Sequence, residues 1–556
     1  MTRRYRRLAA FGIGAGVMVA GVAGFGSSAA FAVDPDDLES RVTVAGITAH
    51  LQALQEIADA NDGNRAIGTS GYEASGQYIE SVLTAAGYTP VRQDFEATTQ
   101  EITEFSITLL GSTTDLSGDR IPMEGTTATP PAGITGAALV APATATGCDA
   151  SEWGGVDATA KVAVVSRGVC SFAEKSLAAG EAGAIALLVY NNEGGPLNGT
   201  LGEQQPEFVP SVGLTQEEGE ALVAALPDSP TVDLRLQEET TTVDTFNIIA
   251  ETSTGRSDNT VMLGAHLDSV PEGPGINDNG SGSAAILETA VQLAASGPLN
   301  NQVRFAWWGA EEVGLVGSTY YVDDLAANDP AELDQIATYL NFDMVASPNY
   351  VISVYDADQS TYEAPVEVPE GSIATEKAFT DYFDAIGQPW IDTAFDARSD
   401  YDAFIANGVP ASGLFTGADD EKTVDQAALF GGTGGPGVTP DPNYHSAADD
   451  IANVNADALG IMAGAIASVT ASLANDTTAI NQFPPAVVDP TPTPVPAPVA
   501  DPGPGAELAA TGASGALGAV PAAALLLGAG IVLAVVRMRS TRAGAVASER
   551  TGHREN

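Results

Sequence analysis

Three patterns of apolar and polar positions follow one another along the chain. From Val42 to Gly87, apolar residues recur near i, i+3 and i+4 in ITAHLQALQEIADA and GYEASGQYIESVLTAAGY, which predicts two helices. Gly68-Thr69-Ser70-Gly71 separates them, with Ser70 as the expected cap of the second. From about 98 to 240 the chain turns to short apolar runs (ITGAALV, AKVAVVS, AIALLVYNN, TVDLRL) punctuated by Gly, Pro and Thr. This predicts a small β-rich domain with a helix or two. From Thr245 to about Ala474, TVMLGA, VRFAWW and TYLNF are continuous apolar runs, as strands buried on both faces require. SGSAAILETAVQLAAS, between the first two, is a good helix. Strand, helix, strand in that order predicts an α/β fold with a mostly parallel central sheet flanked by helices and right-handed crossovers. The segment 98–240 is then an insertion into a domain formed by 33–97 and 241–478. In such sheets ligands gather beyond the carboxyl ends of the strands.

The two ends follow other rules. The basic start, the apolar stretch and Ala30-Phe31-Ala32 read as a secretory signal over 1–32, cleaved after Ala32. Arg3-Arg4 leaves both the general and the twin-arginine export routes open. A Pro-rich linker over 479–507 is expected to be extended and semi-rigid. It is followed by Leu508-Ala509-Ala510-Thr511-Gly512, an apolar span 516–536 and a tail 537–556 bearing Arg537, Arg539 and Arg542. The span is long enough for a bilayer, and the positive charge after it keeps the tail cytoplasmic. The order of pentapeptide, span and basic tail resembles a Gram-positive sorting signal in its LAxTG variant. That resemblance implies cleavage by a sortase between Thr511 and Gly512 and attachment to the cell wall. A retained single-pass anchor with a stalk is the alternative, and both place the body outside the cell.

Charge narrows the partners. Against 72 acidic residues stand 22 basic ones, for a formal net charge of −50 over 556 residues, a field that repels nucleic acid and anionic lipid. The two cysteines, Cys148 and Cys170, lie in the exported part, so one local disulfide is expected. A reactive thiol pair is the weaker alternative, since no histidine lies near either in sequence. Around them, Arg167-Gly168-Val169-Cys170-Ser171-Phe172-Ala173-Glu174-Lys175, the flanking strands and VPSVGLT resemble a protease-associated (PA) domain. Glu174 and Lys175 read as a solvated helix face.

The candidate chemistry sits where the predicted strands end. His266 and Asp268 follow TVMLGA, and Asp278 lies in the Gly-rich loop beyond. Glu311 and Glu312 follow VRFAWW, Asp343 ends TYLNF, and a late loop offers Tyr444, His445 and Asp449. Of the four histidines, His553 falls in the tail and His50 on a helical face, where a structural role is expected. Zinc takes imidazole nitrogen and carboxylate oxygen, and two ions can share one bridging carboxylate. Two histidines, two terminal carboxylates, one bridge and one free acid as base are needed, and His266, His445, Glu312, Asp343, Asp278 and Glu311 meet that count. Asp268 and Asp449 are placed in sequence to orient His266 and His445 from behind.

HLDS, GINDNGSG, WGAEEVGLVGS, NFDM, RSDYDAFIANGVPASGLFTGA and NYHSAADD together resemble the M28 zinc aminopeptidases, in particular the Streptomyces aminopeptidase branch. The resemblance covers most of 40–95 and 240–475. It implies two zinc ions, with His266 and Asp343 on one, Glu312 and His445 on the other, and Asp278 bridging. It further implies Glu311 as general base, with Tyr444 and Arg398 at the substrate; a structural ion pair of Arg398 with Asp400 or Asp402 is the alternative. The expected protein is a monomer that removes bulky apolar residues from the N-termini of peptides. One departure stands out. A short disulfide flanks the last histidine in those relatives, where this chain has Asn443 and Ala448, so a looser loop is expected. Calcium activation, known in the family, stays open, because its ligands are not identified in this sequence. Other readings are a glutaminyl cyclase-like or different hydrolytic enzyme on the same fold, and a non-catalytic surface receptor, a class that usually loses ligands.

Overall fold

The computed structural model describes residues 33–109, 112–114, 120–192, 194–202 and 204–483. The signal peptide, most of the linker, the sorting pentapeptide, the apolar span and the tail lie outside those residues. Of the linker expected from 479, the first described residues belong to a helical turn, Thr478–Asn481. Asn481 Nδ2 donates to Asn259 Oδ1 at 2.7 Å, and the Arg256 guanidinium lies 4.1 Å from the Phe483 ring centre.

The three apolar runs form the strands Arg256–His266, Asn301–Trp308 and Ile336–Phe342. With Ala411–Phe415 they make a parallel group of four. The sheet is antiparallel on either side of that group. Ser353–Tyr355 runs against Ala411–Phe415, and Thr231–Glu251 runs against Asn301–Trp308. Continuous apolar strands are needed because alternate residues enter two cores. Val303, Phe305 and Trp307 join helices Val44–Ala60, Ser70–Ala86, Gly280–Ala294 and Ala456–Asn475 on one face. Ala306 and Trp308 join Tyr321, Phe404 and Tyr339 on the other. Helix Ala456–Asn475 is the one described helix apolar and long enough to cross a membrane, and it is packed into the first of these cores.

The helix caps shift one expectation. Thr69, not Ser70, caps the second N-terminal helix: its side chain accepts from Tyr72 N, and Ser70 is the first helical residue. Two adjacent hydroxyl residues look alike to a cap pattern; the extended backbone of Thr69 decides between them.

The insertion is joined by a two-stranded ribbon. Val91–Leu109 and Thr231–Glu251 pair antiparallel over nearly their whole length, with Ala97 opposite Val243 and Thr99 opposite Thr241. The boundary expected near 98 and 240 thus falls inside paired strands. At the far end, Ile134–Val140 adds to Thr231–Glu251, and Val162–Ser166, Ala186–Tyr190 and Ser211–Leu214 follow it in parallel. Val162 and Val164 face one small core, Ala163 and Val165 another, under helices Gln216–Ala225 and Phe172–Glu181. Cys148 and Cys170 are bonded. Of the expected solvated pair, Glu174 is exposed and Lys175 is not. Glu174 closes a capping box with Ser171. Lys175 is fully buried and donates Nζ–H bonds to Thr146 O and Gly168 O, each at 2.9 Å, because its long stem can carry the ammonium across the core to those carbonyls.

Candidate metal centre

Parallel register makes the strand ends level. Trp308 pairs with His266, and Asn341 pairs with Gly264, so Asp343 stands opposite His266 one strand over. Glu311 and Glu312 follow Trp308 by one turn. Asp268 ties these ends together: its carboxylate accepts from Glu311 N and Glu312 N, both at 3.3 Å, and its backbone oxygen lies 3.1 Å from His266 Nδ1. It therefore orients His266 chiefly through its main chain. Ala310, Met344 and His445 have positive φ, so the backbone is held left-handed beside or at three of the candidate residues.

Asp278 is brought in by a loop that is itself clamped. Arg65, fully buried, donates to the backbone oxygens of Leu267, Pro274 and Gly275. Burial lowers its pKa to about 10, with Asp268 and Asp449 pulling the other way. Gly275 has φ +59°, and a Cβ there would lie 2.4 Å from Asp278 O. Gly273 lets Ser446 O approach to 2.1 Å of where a Cβ would be, so the Asp278 loop and the His445 loop meet over a glycine. Asp449 does not reach the His445 imidazole. Its carboxylate accepts from Asn277 N and Asp278 N, both at 2.9 Å, because the turn after His445 carries it beneath the other loop. Nor is the loop slack without a disulfide: Asn443 Nδ2 donates to Asn453 Oδ1 at 2.8 Å, and Asn453 Nδ2 donates to Asp441 and Asp449.

The result is two groups sharing one carboxylate. His266 Nε2 lies 3.2 Å from Asp278 Oδ1 and 3.5 Å from Asp343 Oδ1. His445 Nε2 lies 3.2 Å from Asp278 Oδ2 and 3.0 Å from Glu312 Oε2. Each oxygen of Asp278 thus faces one histidine. Glu311 Oε2 stands 3.7 Å from His266 Nε2. Yet His445 Nε2, Glu312 Oε1 and Asp343 Oδ1 are buried without a hydrogen bond among the described residues. A buried polar atom without a hydrogen bond costs on the order of 1–3 kcal/mol, a cost that a cation held among these facing ligand atoms would offset. Three ligand atoms in each group lie within 4.8 Å of one another. Two imidazoles with carboxylates are a donor set that zinc fits.

The electrostatics agree. Burial opposes charge on His266, but Glu311 and Asp343 outweigh it and hold the imidazole well above its ordinary range. His445 is held up in the same way, by Glu312 and Asp278. Burial pushes the Glu311 carboxyl well up and Glu312 to about 8. Asp278 goes the other way: burial raises it, but the His266 and His445 imidazoles outweigh that and hold its carboxyl well below the usual range.

The cleft beside Asp278, Glu311 and Asp343 is walled by Met344, Tyr355, Thr393, Phe415 and Ala418. Arg398 and Tyr444 line it too. Arg398 pairs with Asp419 at 3.2 Å, not with Asp400 or Asp402, and Asp419 holds it strongly protonated. The Tyr444 ring stacks on the His445 imidazole at 3.8 Å. Ser399 Oγ donates to Asp343 Oδ2 at 2.7 Å, leaving Oδ1 free. His50 stands apart, between Tyr78 OH and Glu288. Sequence reasoning missed Arg65 and Ser399; a lone arginine in GNRAIG, in a chain so poor in basic residues, is the only signal for the first.

A strand-end cluster of this kind on a mixed α/β sheet is a candidate metal centre, and comparison with known proteins gives the family. Residues 247–470 match peptidase family M28, and residues 134–222 match the PA domain. The chain is 44% identical to the probable lipoprotein aminopeptidase LpqL of Mycobacterium tuberculosis, over 80% of this chain and 88% of that one. It is 43% identical to leucine aminopeptidase 2 of Trichophyton tonsurans, over 81% and 88%. Among solved structures it is similar to an aminopeptidase from Aneurinibacillus sp. strain AM-1, with TM-score 0.59 and 25% identity over 82% of this chain and 98% of that one. It is also similar to BSAP, a zinc aminopeptidase from Bacillus subtilis, with TM-score 0.52 and 25% identity over 78% and 95%. The chain belongs to peptidase family M28, with a PA domain inserted in it.

Proposed function

We propose that this M28 aminopeptidase is an exported enzyme holding two zinc ions and removing bulky apolar residues from the N-termini of peptides. The observation that carries the reading is Asp278, whose two oxygens face one histidine each beside buried, unanswered ligand atoms. His266 and Asp343 would hold one ion, Glu312 and His445 the other, with Asp278 shared. When bound, the ions supply Lewis-acid polarisation of the scissile carbonyl. The rest falls to the chain's own side chains. Glu311, whose buried carboxyl binds a proton readily, takes one from the attacking water and returns it to the leaving amine. Tyr444, its phenol held well above its ordinary pKa by burial, stays a donor for the oxyanion. Glu311 and Asp343 receive the free α-amine, and the wall of Met344, Tyr355 and Phe415 takes the first side chain. Arg398, fixed by Asp419, faces the substrate across the cleft.

Export is supported by the lipoprotein relative and by the bonded cysteines. Val33 adds to this. It is buried, its N–H donates to Asn475 Oδ1 at 3.1 Å, and its carbonyl accepts from Asn475 Nδ2, so the residue that would follow the expected cleavage is tied to the peptidase domain. Wall attachment through Thr511 rests on the sorting pattern alone; mass analysis of wall fragments ending at Thr511 supports it, and a chain extracted with its tail intact refutes it.

Purified protein is expected to release p-nitroaniline from Leu-p-nitroanilide and to lose that activity to a zinc chelator. Glu311→Gln should keep both metals and lose about 10³-fold in kcat. Full activity in that variant removes Glu311 as the base, and cleavage of N-blocked substrates at the same rate removes the aminopeptidase mechanism.

A further inference from the structure

The two histidines of the centre are steadied from different parts of the molecule. His266 turns Nε2 toward Asp278 and Asp343, and its Nδ1 faces Asp268 O, two residues along the same loop. His445 turns Nε2 toward Asp278 and Glu312. Its Nδ1 has one hydrogen-bond partner among the described residues: Asn198 Nδ2, at 3.5 Å. Asn198 belongs to the inserted PA lobe.

We propose that Asn198 is the positioning residue for His445, so that the second zinc site of the dizinc reading is completed only by the docked PA lobe. This rests on that reading. An imidazole that gives its Nε2 lone pair to a cation carries its proton on Nδ1 and needs an acceptor there. A half-turn of the Asn198 amide exchanges its nitrogen for Oδ1 at the same place and supplies one. Outer partners of this kind fix the tautomer and the ring angle of a ligand histidine. His445 has more need of one than His266 does. It sits in a loop, at φ +52°, whereas His266 ends a strand.

The corner bearing Asn198 is built to hold still. Glu124 N donates to Gly199 O at 3.0 Å, and Leu201 N donates to Glu124 O at 2.9 Å, which pins the chain on both sides of Thr200. Asn191 Nδ2 donates to Pro196 O at 3.2 Å, and Arg167 reaches Asn191 Oδ1 at 3.3 Å. Arg167 also pairs with Asp420 of the peptidase lobe at 3.4 Å. One chain of contacts therefore runs from the peptidase surface through Arg167, Asn191 and Pro196 to the residue that touches His445. By linkage, the second zinc and the docked lobe then stabilise each other.

Zinc binding to the metal-free, full-length protein, followed by competition with a chromophoric chelator, tests this without reference to activity. Wild type is expected to take up two ions. Asn198→Ala should weaken one of them by about 10- to 100-fold and leave the other at its wild-type affinity. Asn198→Asp, which keeps an acceptor, should restore the weakened ion to within a few-fold. Thermal unfolding of the three metal-free proteins should coincide. Unchanged affinity for both ions in Asn198→Ala overturns the proposal, as does equal loss of both or an Asp variant no better than Ala. Fewer than two ions in wild type overturns instead the dizinc reading beneath it.

Discussion

Lys175 in the PA lobe and the His266–His445 cluster in the peptidase lobe are both charge buried in an α/β layer, and they are treated in opposite ways. The Lys175 ammonium is surrounded by carbonyls of the loops it crosses, at ordinary hydrogen-bond distances. Its burial still lowers its pKa to about 8, against the opposing pull of Glu152 and Glu174. In the peptidase lobe, His445 Nε2, Glu312 Oε1 and Asp343 Oδ1 gather about Asp278 without a hydrogen bond of their own among the described residues. Arg65, equally buried, resembles Lys175 in being answered by carbonyls, but the loop it grips is the one that carries Asp278. Buried charge alone thus marks structure as readily as chemistry. What distinguishes the site is buried charge whose partners are withheld.

That contrast can be broken by mutation, and the largest effect should come from the shared carboxylate. Asp278→Ala is expected to release both zinc ions together and reduce hydrolysis to background, measured by metal analysis after gel filtration. Retention of one ion would show that Asp278 does not bridge. Next, Tyr444→Phe should lower kcat by about 10²-fold with KM and zinc content little changed, as loss of one oxyanion donor does. In the PA lobe, Lys175→Met should cost about 1–3 kcal/mol in urea unfolding by leaving carbonyls unanswered. Zinc affinity should not move; if it does, Lys175 is not merely structural.

The smallest effect concerns Glu376, which lies between the two cases. Its carboxylate accepts from Ala357 N and Asp358 N, yet burial raises its pKa to about 7. The folded protein therefore holds this proton more tightly than the unfolded chain, whose carboxyl titrates near its ordinary value of 4.5. The contribution to stability is fully present below that value and is lost as pH rises from it through about 7. Glu376→Gln keeps an acceptor and should flatten part of that fall. Parallel stability–pH curves for the two proteins would show that the group does not titrate in this window.

The parallel strands and the gathering of the candidate ligands at their ends are legible because both depend on local pattern. Continuous apolar runs betray strands between two cores, and a polar residue directly after such a run has a strand end as its place. His266 and Asp343 are read this way. Arg65 was not, because its partners are backbone oxygens some 200 residues on, and a carbonyl has no letter in the sequence. Lys175 was misread for the same reason: a helical wheel sees a polar residue and not the carbonyls its stem can reach. Asp449 was assigned to the nearest histidine in sequence, whereas the fold brings the Asp278 loop closer. The ribbon was invisible because its middle, TTTVDT, is largely exposed and has no buried face to impose an alternation.

The register of that ribbon also says how the PA lobe could have come and gone. Thr99 and Thr241 are cross-strand partners, as any two residues flanking a hairpin loop are. A two-residue turn joining the strands at that rung would close them as an ordinary β-hairpin on the peptidase sheet. In lineage terms, the whole PA lobe occupies the place of a turn. Excision at such a rung leaves every strand of the peptidase sheet with its partner but takes Asn198 away from His445, so a lineage that sheds the lobe keeps the sheet and has to steady that histidine in another way.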